Sequence, residues 1–498
     1  MPSHRPPPRV PAAAALALGL ALAGCVRNPA TGHQQLNLVS EAEEIELGQQ
    51  AAAQVEQEIG LYQDAKVQEY VASIGKAIAA RSERPNLPWT FKVVNDATVN
   101  AFALPGGHIY VTRGLMTYLN SEAELASVLG HEIGHVTARH SVNMISKAEL
   151  AQLGLGVATV VKPELQPFVG LASGGLQLLF LKFSRDDENQ ADQLSLSYLH
   201  DNGYQAQALP DMLETLNREG QLAGGGRLPS WLSTHPSSAD RVQRTSALIQ
   251  KRGLQPLAGK VNRAQLLSTI DGMPFGEDPR DGYQAGNTFV VPNLKVSVDL
   301  PSGWKVQNAA SQLSAVSPNQ DAAVQLQVAG AMPLDQAAQQ IFGTDERGQS
   351  QSGLKPAGAS RKTTVNGLPA LLTDFTGQTS EGGDIQGTLE LISHEGKTFA
   401  LLAYAGGGAA SQYSSELGKV LASFRPETDP AKLSVEPARV QVTRVAQRET
   451  LQQFNDSQPS SIDLQRLAVI NQAQPQETLA AGDLVKRVVG GTAATKPS

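Results

Sequence analysis

The chain opens with an apolar run over residues 10–23, preceded by Arg5 and Arg9. A charged start followed by a short apolar stretch is the pattern of a secretory signal. Residues 25–40 are rich in Asn, Pro, Gly and Gln and read as a tether. Apolar positions then recur at helical spacing, as in Val67, Tyr70, Val71, Ile74 and Ile78. Ser40 with Glu43, and Ser121 with Glu124, are capping boxes that predict helix starts. Between these helices, residues 89–94 alternate as a strand. Residues 100–104 and 108–112 form two more, joined through Pro105-Gly106-Gly107. The helical pattern continues to about residue 252. Residues 256–287 are loop-rich, and residues 288–426 are mostly strand-like, with helical stretches at 334–341 and 411–423. A short unit follows at 437–490, and the Ala- and Thr-rich residues 491–498 read as a disordered tail.

The expected architecture is therefore multidomain. A signal covers residues 1–24 and a tether 25–40. A mainly helical domain with a small β-sheet covers 41–255, then come a linker at 256–287, an α+β domain at 288–426 and the small unit at 437–490. A length of 498 residues requires several cores. No segment beyond the signal can span a bilayer: residues 150–161 and 168–181 are too short and are split by Lys162, Pro163 and Glu164.

Charge removes one class of partner. The net charge of -7 and the lack of any dense Lys/Arg run argue against nucleic acid. The single cysteine, Cys25, excludes an intrachain disulfide and a thiolate zinc site. It ends Leu22-Ala23-Gly24-Cys25, which resembles the bacterial lipoprotein lipobox. That resemblance implies cleavage before Cys25 and its acylation. Val26 then favours the outer membrane, facing the periplasm.

The chemistry concentrates at His131-Glu132-Ile133-Gly134-His135. On a helix, i and i+4 imidazoles share a face and reach one zinc ion. Glu132 is placed to take a proton from a metal-bound water. The five-residue pattern alone also occurs by chance in solvated helices, and a catalytic zinc needs a third protein ligand. Downstream, Glu188 and Asp192 lie four apart on another helix. Glu188 can be that ligand and Asp192 an acceptor that orients a ligand histidine. The competing reading is a solvated acidic face.

Residues 35–250 resemble the M48 zinc metallopeptidases, the Ste24- and HtpX-type proteases. The resemblance rests on the HExxH helix, Asn100-Ala101-Phe102-Ala103-Leu104-Pro105-Gly106-Gly107, Ser184-Arg185 through Glu188 and Asp192, and Thr234-His235-Pro236 with Arg241. It implies a zincin (gluzincin) fold and one zinc per chain on His131, His135 and Glu188. Glu132 would be the base, and Asp192 and Arg185 would support the ligands. Substrate would bind by β-augmentation along Asn100, Ala101, Phe102 and Ala103. His235 would either donate to the oxyanion or occupy the fourth zinc position in a latent state. His140 reads as a surface or supporting group, and His108 as structural. Lacking spanning helices, the chain looks most like the soluble periplasmic members. Those imply a quality-control endopeptidase acting on unfolded or misassembled envelope proteins. Residues 288–426 resemble a PsbP/Mog1-type sandwich. Residues 437–490 resemble a LysM-like unit, which either binds peptidoglycan or is a small packing domain.

Overall fold

The computed structural model describes residues 25–30, 32, 34–152, 182–222, 231, 235, 239–255, 257–308, 312–343, 352–378 and 383–491. Residues 1–24, most of the two apolar stretches at 150–161 and 168–181, Thr234, Pro236 and residues 492–498 lie outside them. Among the described residues no helix is long and apolar enough to cross a membrane. The chain divides into two compact units, Met1–Met273 with Val440–Val488, and Pro274–Arg439 with Val489–Ser498.

In the first unit, helix α1 (Glu41–Glu58) starts at a full capping box between Ser40 and Glu43. Helix α2 (Ala65–Ala79) is capped by Asp64 and buries Val67, Val71, Ile74 and Ile78, one stripe of an amphipathic helix. Strands β1 (Thr90–Val94), β2 (Ala101–Leu104) and β3 (His108–Thr112) form a three-stranded sheet with β3 in the middle, parallel to β1 and antiparallel to β2. Strand β2 is therefore an edge. Helix α3 (Glu122–Thr137), which carries the HExxH motif, is buried along its whole length. Helices α4 (His140–Gln152), α5 (Arg185–Asp201), α6 (Ala208–Leu222), α7 (Ala239–Lys251) and α8 (Arg263–Ile270) follow. Helix α8 corrects the expectation of a linker at 256–287: Leu266, Leu267 and Ile270 are buried in the main core.

The expected tether is also corrected. Cys25–Arg27 pairs antiparallel with Gln34–Leu36. Asn28, Asn37 and Val39 are buried, and the Leu38 amide donates to Ser146 Oγ.

Residues 440–488 belong to this same unit. Strands Ala438–Arg444 and Leu484–Gly490 pair, with helices Leu451–Ser457 and Leu464–Ile470 between them in sequence. One buried amine joins them to the segment just before α3: Lys486 Nζ donates to the carbonyls of Thr117 and Leu119 at 2.9 and 2.7 Å.

The second unit is α+β. An eight-stranded antiparallel sheet runs in the order Leu354–Pro356, Leu368–Gln378, Asp384–His394, Lys397–Gly406, Ala322–Gly330, Gln312–Val316, Lys305–Asn308, with Arg361–Val365 also paired to Leu368–Gln378. A four-stranded antiparallel sheet is built from Arg425–Pro426, Val296–Asp299, Thr288–Val291 and Tyr283–Ala285. The helix Ala410–Ser423 buries Tyr413, Leu417, Val420 and Leu421 in a core shared with Trp304, Phe399 and Phe424.

One acid sits inside this unit. Glu390 is 3% exposed and lies opposite Leu372 and Leu401 in the sheet. Its Oε2 has no hydrogen-bond partner among the described residues. Burial pushes its carboxyl up from 4.5 to about 7. The folded state then holds the neutral acid over a range where the unfolded chain ionises. Stability should fall as pH rises from 4.5 through about 7, and stay flat above. Glu390→Gln should remove that slope and raise stability at pH 8 by about 2–4 kcal/mol. Denaturant titrations of the full chain at pH 5 and pH 8 measure it; identical pH dependence in wild type and variant would refute it.

Candidate metal centre

The site is made by the crossing of α3 and α5. Gly130 and Gly134 let the helices approach closely. A Cβ at Gly134 would meet the Ala191 Cα at 3.2 Å, and one at Gly130 the Ser195 Oγ at 3.3 Å. Ser195 Oγ also donates to the Ser127 carbonyl at 2.8 Å. Helix α3 is gripped at both ends. At its start Ser121 Oγ accepts from the Glu124 amide. The Glu122 carboxylate accepts from Tyr70, Tyr204 and Asn262. At its end Arg84 donates to the Val136 carbonyl at 3.1 Å. The Glu44 carboxylate binds both Arg84 and Arg139.

This packing brings together buried His131, His135, Glu188 and His235, whose ligand atoms all lie within 4.8 Å of one another. His131 Nε2 is 3.1 Å from His135 Nε2 and 3.4 Å from His235 Nδ1. Glu188 places oxygens 3.5 Å from His131 Nε2 and from His135 Nε2, and 2.9 Å from His235 Nδ1. Ligands about 2.0–2.1 Å from a tetrahedral zinc are about 3.3–3.4 Å apart. The donor spacings fit such an ion.

The charge fits as well. Glu132, Glu188 and Asp192 are buried against one buried guanidinium, Arg241, an excess of acid that a divalent cation balances. Arg241 lies 2.9 Å from Glu188 Oε2 and holds Asp192 in a fork at 2.7 and 3.0 Å. Burial alone would raise both acids; His235 and Arg241 instead hold Glu188 well below the carboxylate range, and Arg241 and His131 lower Asp192. Burial pulls His131 down, but hydrogen bonding to Asp192 and Glu188 prevails and leaves it pushed up to about 9. His135 is held well below the usual imidazole range by burial and by His131.

The expected supporting residues separate. Asp192 Oδ1 lies 3.1 Å from His131 Nδ1, where it can orient that ring. Arg185 is exposed at the first turn of α5; the arginine that reaches the acids is Arg241, on α7. His140 is buried rather than on the surface. Its Nδ1 is 2.9 Å from His135 Nδ1, and burial lowers its pKa. His108 starts β3 with Nδ1 2.9 Å from Thr90 Oγ1, apart from the cluster. Asn100 stands just before the edge strand, and Ala101, Phe102 and Ala103 lie on it.

Glu132 is fully buried, and among the described residues neither carboxylate oxygen has a hydrogen-bond partner. Its Oε1 is 3.6 Å from His235 Nε2. Two aromatic walls carried no recognisable motif. Phe183 stacks on His135 with centroids 4.0 Å apart. Trp231 stacks on His235 at 5.0 Å and lies under the Arg241 guanidinium.

The Peptidase family M48 model matches residues 65–249, which span the sheet, the α3/α5 crossing and most of α7. These residues form a peptidase family M48 domain. The chain is 40% identical over 169 residues to the mitochondrial metalloendopeptidase OMA1 of Arabidopsis thaliana, covering 33% of each. It is 27% identical over 223 residues to the beta-barrel assembly-enhancing protease of Escherichia coli (strain K12), covering 43% of this chain and 45% of that one. The chain thus matches between a third and a half of the length of these relatives. The solution structure of cyanobacterial PsbP from Synechocystis covers 29% of this chain and 92% of that one, at 9% identity and a TM-score of 0.22, too low to support an argument.

Proposed function

We propose that this chain is a zinc-dependent endopeptidase of the bacterial cell envelope that hydrolyses unfolded or misassembled periplasmic and outer-membrane proteins. One observation carries the activity: His131, His135 and Glu188 converge on a single point beside the Glu132 carboxylate, which is buried and, among the described residues, accepts no hydrogen bond. Those three residues would hold zinc, which when bound supplies a Lewis acid for the scissile carbonyl and lowers the pKa of a water towards about 7. Glu132 takes the proton of the attacking water on its carboxylate and passes it to the leaving amine. Asp192 and Arg241 keep Glu188 and His131 in place.

The substrate class follows from the sheet. Strand β2 is an edge next to the motif helix, so an extended peptide can add to it through backbone hydrogen bonds. Unfolded segments offer a free strand and folded domains do not. The Escherichia coli relative is a beta-barrel assembly-enhancing protease, which agrees with an envelope substrate.

The expected result is cleavage of an unfolded casein, abolished by a chelator and restored by about one equivalent of zinc. Full activity in excess chelator with no metal bound would refute the reading. Acylation at Cys25 would anchor the protein to the outer membrane, each buried CH2 contributing about 0.8 kcal/mol. Unchanged membrane recovery of Cys25→Ala would remove the anchor. The 440–488 residues are a candidate peptidoglycan contact, tested by sedimentation with purified sacculi; no co-sedimentation leaves them a packing element.

A further inference from the structure

The two motif histidines are held at their outer nitrogens by different chemistry. His131 faces a carboxylate, Asp192. His135 faces a second imidazole, His140, Nδ1 to Nδ1 at 2.9 Å. On the far side of that ring, His140 Nε2 lies 2.7 Å from Gln190 Oε1. The same oxygen lies 3.4 Å from Asn28 Nδ2. Asp187 Oδ1 is 3.6 Å from His140 Nε2, beyond hydrogen-bond reach. The Asn28 amide is oriented independently. Its Oδ1 accepts from the Ala30 amide at 2.9 Å. Its Nδ2 donates to the Ala138 carbonyl and to Gln35 Oε1, each at 3.0 Å.

Proton positions along this path follow from its inner end. If His135 offers Nε2 to a metal, its ring proton sits on Nδ1. That proton is donated to His140 Nδ1, so the His140 proton sits on Nε2 and is donated to Gln190 Oε1. An amide oxygen has two lone pairs, so Gln190 Oε1 can also meet the Asn28 Nδ2 group; its two hydrogens serve Ala138 and Gln35 at 3.0 Å, and the 3.4 Å contact with Gln190 is the longer arm of a three-centre bond. Each ring N–H meets an acceptor, both imidazoles are neutral, and only one tautomer of each ring satisfies the set.

We propose that His140, Gln190 and Asn28 form a positioning relay for His135, which makes the segment just after Cys25 a working part of the metal centre. The inference rests on the zinc-binding reading above. The relay fixes the tautomer and tilt of one ligand ring from outside. Asn28 also ties the N-terminal hairpin to the Ala138 carbonyl at the end of the motif helix. Docking of residues 25–36 and geometry at the metal are thereby coupled.

The test is zinc affinity, measured on purified full-length protein by competition with a chromophoric chelator, with thermal unfolding of each zinc-free variant as the control for folding. Gln190→Leu removes the acceptor and should weaken zinc by about 10–100-fold. Gln190→Glu keeps an oxygen at that position and should restore affinity to within about threefold of wild type. Asn28→Ala, at the outer end, should weaken zinc by about 3–10-fold. A purely structural role predicts equal losses of unfolding temperature for Gln190→Leu and Gln190→Glu, with zinc affinity unmoved. Wild-type zinc affinity in folded Gln190→Leu overturns the relay. Wild-type affinity in Asn28→Ala overturns the part played by the N-terminal segment, and that variant decides the matter if Gln190→Leu does not fold. Absence of zinc binding by the wild type would instead refute the proposed function.

Discussion

Glu132→Gln should bind zinc as the wild type does and lose about 10²–10⁴-fold of its hydrolytic rate, or more. The two halves of that expectation come from different features of the site. Metal retention follows because Glu132 stands outside the four residues whose ligand atoms cluster. Rate loss follows because an amide cannot accept the proton that the carboxylate takes. The change is nearly isosteric, so a side chain with no exposure can be replaced without a cavity. Removing the charge also relieves a buried carboxylate that, among the described residues, accepts no hydrogen bond, so the variant should be no less stable than the parent. Metal content and casein hydrolysis, measured on one preparation, check both halves. Wild-type turnover in the variant would sink the assignment of the base. Loss of zinc together with activity would instead place Glu132 among the ligands.

The motif helix was legible in the sequence because it obeys local rules: a Ser121 cap, helical spacing of Leu125, Val128 and Leu129, and two histidines four apart. Glu188 and Asp192 were legible as a pair on one face of a second helix for the same reason. That the two helices meet was not, because their approach depends on Gly130 and Gly134 facing Ser195 and Ala191, a contact between segments some 60 residues apart. Arg185 and Arg241 illustrate the limit. Arg185 lies next to the acids in sequence but is turned to solvent by the helical repeat, while Arg241 reaches them from another helix. Composition misled over residues 25–40. Asn-rich segments are usually solvated, yet Asn28 is buried with its amide donating to the Ala138 carbonyl, which the end of α3 leaves open. Lys486 was hidden too: one buried side-chain amine on two carbonyls ties residues 440–488 to the peptidase unit, and no pattern in the sequence marks it.

His235→Ala should make the protein a faster protease. Two roles were open for this histidine, and the geometry separates them. An oxyanion donor should stand off the ligand cluster, with a nitrogen free to meet the carbonyl oxygen of a substrate. Here His235 Nδ1 lies among the ligand atoms, 2.9 Å from Glu188 Oε1 and 3.4 Å from His131 Nε2. Its other nitrogen is 3.6 Å from the base, Glu132. One imidazole thus stands where a fourth ligand would sit and beside the group that must receive a proton. Trp231 backs it, with its ring stacked on His235 and its amide 3.2 Å from the Val99 carbonyl just before the β2 edge. A resting state built this way blocks the water position and crowds the approach to the edge strand together. An open minor state populated at about 0.1–10% would turn over only in that fraction. Deleting the imidazole should then raise the rate on an unfolded substrate by about 10-fold or more, with self-cleavage as an accompanying sign. His131, His135 and Glu188 remain as three ligands, so the zinc should stay. If the histidine instead stabilises the oxyanion, the same change costs about 10²–10³-fold in rate, and latency is refuted. An unaltered rate would refute both roles and leave His235 as packing for Trp231.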